Sequence, residues 1–165
     1  MKKLHVFLFA LIALLAFSSC SDDDNDGNNA IVGKWQMTGI SATINCTDTE
    51  IKERIASNYE DITVPNCQYE FFDKGKFKFT EQATENNKGD NEEGDYTLNS
   101  RMITFITDGK TNDKETELAE YSVDKNILTL IWDMTEECRL KYENNKEYEG
   151  TKITKVVVTH TYIKK

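Results

Sequence analysis

The stretch Tyr69-Glu70-Phe71-Phe72-Asp73-Lys74-Gly75-Lys76-Phe77-Lys78-Phe79-Thr80 decides the fold class of this chain. Apolar side chains alternate with polar ones on both sides of Asp73-Lys74-Gly75, and a period of two is typical of strands with one buried face. The central tripeptide fits a type I turn followed by a G1 bulge, in which Gly75 takes a positive φ. The stretch therefore predicts an antiparallel β-hairpin with strands at 69–72 and 76–80.

The same alternation recurs along the rest of the chain. Further strands are predicted at residues 31–44, 94–98, 102–107, 117–123, 127–133 and 153–163. The first of them changes phase at Thr38-Gly39, which predicts a β-bulge. Eight strands joined by short turns predict an all-β fold, an eight-stranded antiparallel up-and-down β-barrel whose closure leaves no exposed edge.

One short helix is predicted between strands 1 and 2. Thr47-Asp48-Thr49-Glu50 matches a capping box, in which the Thr47 hydroxyl accepts from first-turn amides and Glu50 reaches back. Ile51, Ile55 and Tyr59 then lie four apart on one face, so the helix has an apolar stripe to bury. The polar segment 135–150 is predicted to be a long loop with a helical turn or a short extra strand.

Length and charge limit the range of functions. The chain has 165 residues, 20 Lys and Arg against 29 Asp and Glu, and a net charge of −9. A chain of this length fits one domain. A nucleic-acid partner is not expected, because such a partner needs clustered positive charge and the basic residues here do not cluster beyond local pairs.

Residues 1–19 are predicted to be a removable signal peptide. Lys2 and Lys3 precede an apolar run over 4–17, which is shorter than the roughly 20 residues that span a bilayer, and the small residues Ser18 and Ser19 follow. Cleavage before Cys20 would leave 18 basic against 29 acidic residues, a net charge of −11.

Cys20 stands where bacterial lipoprotein precursors, which this segment resembles, carry the acylated cysteine. The resemblance implies that Cys20 is lipidated, with palmitate among its acyl chains, and becomes the first mature residue. The following residues, Ser21, Asp22, Asp23 and Asp24, resemble the acidic export signal of Bacteroidota lipoproteins, which implies an outer-membrane lipoprotein facing the cell exterior. The expected organisation is a signal peptide at 1–19, a lipidated acidic tether at 20–30 and a barrel domain at 31–165.

Three cysteines lie beyond the anchor. Cys46 and Cys67 bracket the predicted helix, and the compartment beyond the inner membrane permits disulfides, so a Cys46–Cys67 bridge is predicted with Cys138 left free. Such a bridge would stabilise the fold by roughly 3 kcal/mol. A metal site is not expected, because no CxxC occurs and His160 is the single histidine after residue 19.

The barrel domain resembles the lipocalin-like lipoproteins of Bacteroidota over residues 31–165. The resemblance rests on Gly33-Lys34-Trp35 in the first strand, the helical connection after it and the order of the following strands. It implies that Gly33 and Trp35 open the barrel and that Trp35 plugs its closed end. Lipocalins also carry a late Arg that packs on this Trp, whereas this chain has only Lys near its end.

The inward-facing parity supplies the candidate ligand-binding residues. They are Trp35, Phe71, Phe77, Phe79, Trp132, His160 and Tyr162. Two interpretations stay open: these side chains line a cavity for a small hydrophobic or amphipathic ligand, or they fill the barrel as a core. His160 is accordingly either a core histidine or a group that orients a ligand.

The first function predicted is a non-catalytic, lipid-anchored binder of one small ligand. The alternative is a surface module with a filled barrel, whose acidic loops at 81–93 and 108–117 contact a partner protein or glycan. An enzyme is not expected, because the chain has no nucleophile elbow, no phosphate-binding glycine loop and no dinucleotide fingerprint. No cofactor is expected, and the protein is expected to be a monomer.

Overall fold

The computed structural model describes residues 30–60, 67–83, 88–108 and 114–165. The predicted signal peptide, the lipidation site Cys20 and the export signal Ser21 to Asp24 lie outside the described residues, as do parts of three connections.

Eight antiparallel strands form a closed barrel in the order β1 to β8, with β8 returning to pair with β1. Their bounds are Gly33–Cys46 (β1), Cys67–Phe72 (β2), Lys76–Glu81 (β3), Asp90–Asn99 (β4), Met102–Asp108 (β5), Lys114–Asp124 (β6), Ile127–Asp133 (β7) and Ile153–Lys164 (β8). The predicted up-and-down barrel is confirmed. The acidic loops are shorter than predicted, because residues 90–93 belong to β4 and residues 114–117 to β6.

The predicted bulge in β1 is confirmed. The register of β1 against β8 shifts between Met37 and Gly39, where the bulge changes which parity of β1 faces inward.

The turn between β2 and β3 agrees with its prediction only in part. Gly75 has the predicted positive φ, +72°. Lys74 also has a positive φ, +66°, whereas the central residues of a type I turn have negative φ. The prediction of a type I turn is therefore wrong.

The helix after β1 begins later than the capping box predicts. Helix α1 spans Thr49–Glu60, and the side chain of Asp48, not Thr47, accepts a hydrogen bond from Ile51 N (3.0 Å). The Thr47 hydroxyl instead accepts from the amide of Lys152, 2.9 Å away at the start of β8. Thr47 was therefore wrongly predicted as the cap, because a long-range hydrogen bond occupies its side chain.

A second helix, α2 at Thr135–Tyr142, replaces most of the loop predicted between β7 and β8. It packs beside α1 through a cluster that contains Ile51 and Ile55 of α1 and Cys138 and Tyr142 of α2. The stripe predicted on α1 is confirmed, since Ile51 and Ile55 are completely buried.

The two ends of the barrel are built differently. One end, here called the hairpin end, carries the turns at 73–75, 100–101 and 125–126 with the start of β1 and the end of β8. The opposite end, here called the loop end, carries α1, α2 and the longer connections. Most of the interior core lies toward the hairpin end, and a second core lies between the two helices and β8.

Gly94 is predicted to be required for the pairing of β4 with β5. A Cβ at Gly94 would press against the carbonyl oxygen of Ile106 and lie 3.0 Å from side-chain atoms of Phe77 and Thr107. Gly94→Ala should therefore lower the free energy of unfolding by about 1–3 kcal/mol, as overpacking does, measured by urea denaturation.

Gly39→Ala is the matched control, because a Cβ at Gly39 meets nothing within 4 Å. It should change the unfolding free energy by less than about 1 kcal/mol. Equal losses in the two variants would show that removal of glycine, rather than the contact with β5, causes the effect.

Candidate functional site

Trp35 fills the hairpin end of the barrel. Its side chain is completely buried, and its indole Nε1 donates to the carbonyl oxygen of Ile31 at 2.6 Å. The Lys164 Nζ lies 5.1 Å from the centre of the Trp35 ring, a cation–π distance. A lysine, and not the late arginine that the sequence resemblance implies, thus lies over the tryptophan.

Gly33 makes this approach of Lys164 possible. Its φ is +129°, a value that side-chain-bearing residues rarely adopt, and a Cβ there would lie 2.9 Å from Lys164 Cε. Two residues of the Gly33-Lys34-Trp35 motif therefore hold the same cation. Gly33 leaves space for the Lys164 side chain, and the Trp35 ring makes the cation–π contact with it.

Packed aromatic side chains fill the interior above Trp35. Tyr69 is at the centre of this layer, with ring centroids 5.4 Å from Phe71, 5.5 Å from Phe105 and 5.6 Å from Tyr162. Phe77 lies 5.0 Å from Phe105 in an edge-to-face arrangement. These distances are those of favourable aromatic pairs, so this half of the barrel is a core.

Burial of the inward-facing residues is uneven toward the loop end. Ile40, Phe79, Trp132 and His160 are half-buried on the interior parity. Val158, which pairs with the exposed Ala42 and with Trp132, is buried. The half-buried set Ile40, Phe79, Trp132 and His160 is here called the mouth, and Tyr69 and Tyr162 lie in the core below it.

His160 forms the polar part of one wall of the mouth. Its Nδ1 lies 3.3 Å from the Tyr162 hydroxyl, and its ring centroid lies 4.6 Å from that of Trp132. Burial lowers the pKa of His160 from 6.5 to about 4. At neutral pH the imidazole is therefore uncharged, and its Nδ1 can accept a hydrogen bond from Tyr162.

Tyr69 supplies the second polar group beneath the mouth. The side chain is nine-tenths buried. Burial raises the pKa of Tyr69 well above its ordinary value, and the carboxylates of Glu117 and Glu92 raise it further. The hydroxyl therefore keeps its proton and is available as a donor.

The structure divides the seven predicted ligand-binding residues by depth. Phe79, Trp132 and His160 are half-buried at the mouth, whereas the buried core contains Trp35, Phe71, Phe77 and Tyr162. Tyr69 and Ile40 were missed. Tyr69 shares the inward parity of Phe71, and Ile40 follows from the phase shift at Gly39, so both could have been found from the pattern.

The predicted disulfide between Cys46 and Cys67 is not present: both residues and Cys138 are free thiols. Cys67 packs in the barrel core, whereas Cys46 packs with Cys138 against the two helices. Burial raises the pKa of Cys67 and of Cys138 to about 11. Both buried cysteines are thus uncharged, and the thiolate rather than the thiol is the nucleophile.

The outer face of β2 to β5 carries a separate groove of about 680 Å³. Its lining includes the ion pairs Lys78–Glu93, at 2.7 Å, and Lys76–Asp95. Cross-strand pairing of this kind satisfies the charges on an exposed sheet face, and the groove does not reach the mouth residues.

Within the described ranges, no group of three or more His, Cys, Asp and Glu side chains could hold a metal ion. No helix within those ranges is long and apolar enough to cross a membrane.

Among solved structures, the chain is similar to a lipocalin-like protein from Bacteroides uniformis. The two share 18% sequence identity and a TM-score of 0.39, over 77% of this chain and 96% of that chain. No family model matches the chain, and no curated protein matches it. The barrel architecture rests on the strand pairing described above.

Neutral His160 is predicted to make stability depend on pH. The unfolded chain takes up this proton below about pH 6.5, whereas the folded protein takes it up only near pH 4. The associated stability, roughly 3 kcal/mol, should be complete above pH 6.5 and be lost as the pH falls to about 4. Urea unfolding at a series of pH values measures this loss.

His160→Gln is the control, because glutamine keeps a polar side chain but does not titrate. Other groups contribute equally in both proteins, so the variant should lose clearly less stability than the wild type between pH 6.5 and 4. Parallel pH profiles would show that His160 does not cause the loss.

Proposed function

We propose that this protein is a non-catalytic, lipid-anchored lipocalin-like protein that binds a small hydrophobic or amphipathic ligand at the mouth of the barrel. The observation that carries the proposal is the partial burial of four inward-facing residues toward the loop end. Ile40, Phe79, Trp132 and His160 are half-buried, whereas the interior around Trp35 and Tyr162 is fully packed. Binding sites are concave, mostly apolar and furnished with a few polar groups.

The residues at the mouth favour an amphipathic ligand. Phe79, Trp132 and Ile40 offer apolar surface, while the Tyr69 hydroxyl and the His160–Tyr162 pair offer neutral polar atoms. A neutral pair orients a ligand through hydrogen bonds rather than charge. Because the interior below Tyr69 is packed, a bound ligand would occupy only the upper part of the barrel.

The absence of catalysis is also part of the proposal. The buried thiols Cys67 and Cys138 have pKa values near 11, and nucleophilic cysteines need a lowered pKa. His160 has a pKa near 4, far from the neutral range in which a general base works best. These groups support a binding role.

We also propose that the protein is a monomer. All eight described strands are paired on both sides, so the sheet offers no free edge for a second copy to extend.

Ligand binding is tested by native mass spectrometry of the purified protein against mixtures of fatty acids, lysolipids and bile acids. We expect a retained mass, with a dissociation constant measured by titration in the same native mass spectrometry experiment. Trp132→Ala removes apolar surface at the mouth and should weaken binding about tenfold or more.

Leu118→Ala is the matched control. Leu118 is an exposed apolar residue on the outward parity of β6, so its truncation should leave binding unchanged. Retention of no compound by the folded wild type would contradict the ligand-binding proposal.

The packed lower half of the barrel also supports the second candidate, a surface module that contacts a protein or glycan through its loops. The connections at the loop end include residues 82–89, between β3 and β4. If this candidate is right, shortening that connection abolishes capture of the partner but leaves the melting temperature nearly unchanged, because exposed loops contribute little packing. Trp132→Ala would then leave capture intact.

The proposed anchor is an acylated Cys20 that holds the protein on the outer membrane, facing the exterior. Support comes from the apolar run at 4–17, the small residues before Cys20 and the acidic residues Asp22 to Asp24 after it. Ile31 and β1 follow directly, so the tether enters the barrel at the hairpin end.

Cys20→Ala is expected to abolish incorporation of radiolabelled palmitate and to release the protein from membranes. Cys138→Ala is the control, since this buried thiol in α2 is far along the chain. It should leave labelling unchanged. Labelling of the Cys20→Ala protein would contradict acylation at this residue.

A further inference from the structure

Four exposed basic side chains lie together at the hairpin end. Lys74, Arg101, Lys125 and Lys165 are exposed at the turns and at the end of β8. Within the described ranges, none of these four side chains takes part in an ion pair. Hydrogen bonds hold the terminal strand ends beside one turn, since the Lys164 amide donates to the Asn126 carbonyl at 2.9 Å.

The chain as a whole carries a net charge of −9. The exposed acids at or next to the three turns of the hairpin end are Asp73, Glu120 and Asp124. The loop end also carries exposed lysines, but acids outnumber them, among them Glu81, Asp90 and Asp108. The hairpin end is therefore the less acidic end of the barrel.

Exposed apolar side chains also lie at the hairpin end. In the described ranges, five large apolar residues are exposed, and three of them end or begin strands there: Phe72 (40%), Ile127 (46%) and Ile163 (44%). Ile127 and Ile163 face each other across β7 and β8. A basic rim with apolar side chains is typical of surfaces that bind anionic membranes.

The turn conformations point in the same direction. Lys74 has φ +66° and Lys125 has φ +55°, a region in which Gly and Asn are favoured and lysine is uncommon. The backbone conformation of these turns therefore does not explain why lysine is present. A function for the exposed charge explains these residues better than the local backbone does.

The position of the tether determines what this end can face. Ala30 lies at the hairpin end, with its carbonyl oxygen 3.4 Å from Lys164 Nζ. Nine residues, 21–29, separate it from Cys20, and a chain of this length reaches at most about 35 Å. An acylated Cys20 would thus hold the hairpin end close to the bilayer.

We propose that the hairpin end is a docking surface for anionic lipid headgroups. Lys74, Arg101, Lys125 and Lys165 contact headgroup phosphates, while Ile127 and Ile163 pack at the interfacial level. The mouth then faces away from the membrane. This proposal rests on the anchor proposed above for Cys20, and it adds a defined orientation of the barrel on the membrane.

The lipidated full chain tests the orientation after reconstitution into vesicles. A Trp132→Phe background leaves Trp35, near the hairpin end, as the tryptophan donor for energy transfer to dansyl-labelled headgroups. In vesicles of equal parts phosphatidylcholine and phosphatidylglycerol, transfer should be high. The double variant Lys74→Glu/Lys125→Glu should lower it about twofold, and so should about 0.5 M salt, which screens charge.

Lys52→Glu/Lys152→Glu is the matched control, because it makes the same charge change at exposed residues of the loop end. It should leave transfer unchanged. Ile163→Ser tests the apolar part without altering charge and should also lower transfer. Melting temperatures confirm that each variant is folded. Equal transfer in all folded variants, at both salt concentrations, would overturn the docking proposal.

Failure of the anchor proposal and failure of the docking proposal give different experimental results. Without acylation, the intact mass lacks acyl chains and the protein does not remain on phosphatidylcholine vesicles. In that case, flotation of the protein with phosphatidylglycerol vesicles, lost in Lys74→Glu/Lys125→Glu, would still support the surface. Absence of such flotation would overturn it.

Discussion

Pairing of β1 with β8 is the constraint on which the rest of the structure depends. The ladder runs from Trp35 opposite Lys164 to Cys46 opposite Ile153. It joins the first strand to the last and converts an open sheet with two free edges into a barrel with none. It also brings Lys164 over Trp35 at the hairpin end and places His160 beside Ile40 near the mouth.

The same pairing organises the helices at the loop end. Thr47 and Lys152 exchange two hydrogen bonds, from Thr47 N to Lys152 O at 3.0 Å and from Lys152 N to Thr47 Oγ1 at 2.9 Å. These bonds extend the β1–β8 ladder into the segments that lead to α1 and from α2. Ile55 and Tyr142 then pack into one cluster. The second core is therefore a consequence of barrel closure rather than a separate unit.

The sequence pattern predicted the features that depend on local structure. It failed for features that depend on contacts between residues far apart in the chain. The alternation of apolar and polar residues predicted all eight strands. The glycine at the end of the turn 73–75 predicted the positive φ found at Gly75. The capping residue was wrong because Thr47 bonds to Lys152, more than a hundred residues away. Helix α2 was predicted only as a loop with a helical turn or a short strand, because three of its eight residues are apolar, and contacts with β8 and α1 bury Cys138 and Tyr142.

The sequence pattern also did not predict which inward-facing residues lie at the mouth and which lie in the core. Parity indicates whether a side chain faces inward, and it placed Phe71, Phe79 and Trp132 correctly on the inner face. It carries no information on depth, because depth depends on the tilt and stagger of eight strands. Phe71 consequently lies in the packed core, while Phe79 and Trp132, on the same parity, border the mouth.

Because aromatic side chains fill one half of the barrel, its two ends can have different functions. The core around Tyr69 and Trp35 leaves no passage through the interior, so a ligand bound at the mouth would enter and leave through the loop end alone. The hairpin end, sealed by Trp35 and Lys164, is free to present charge to a surface. Under the proposed anchor, a single rigid core thus supports the binding site and keeps that site turned away from the membrane, without requiring a flexible hinge between the two.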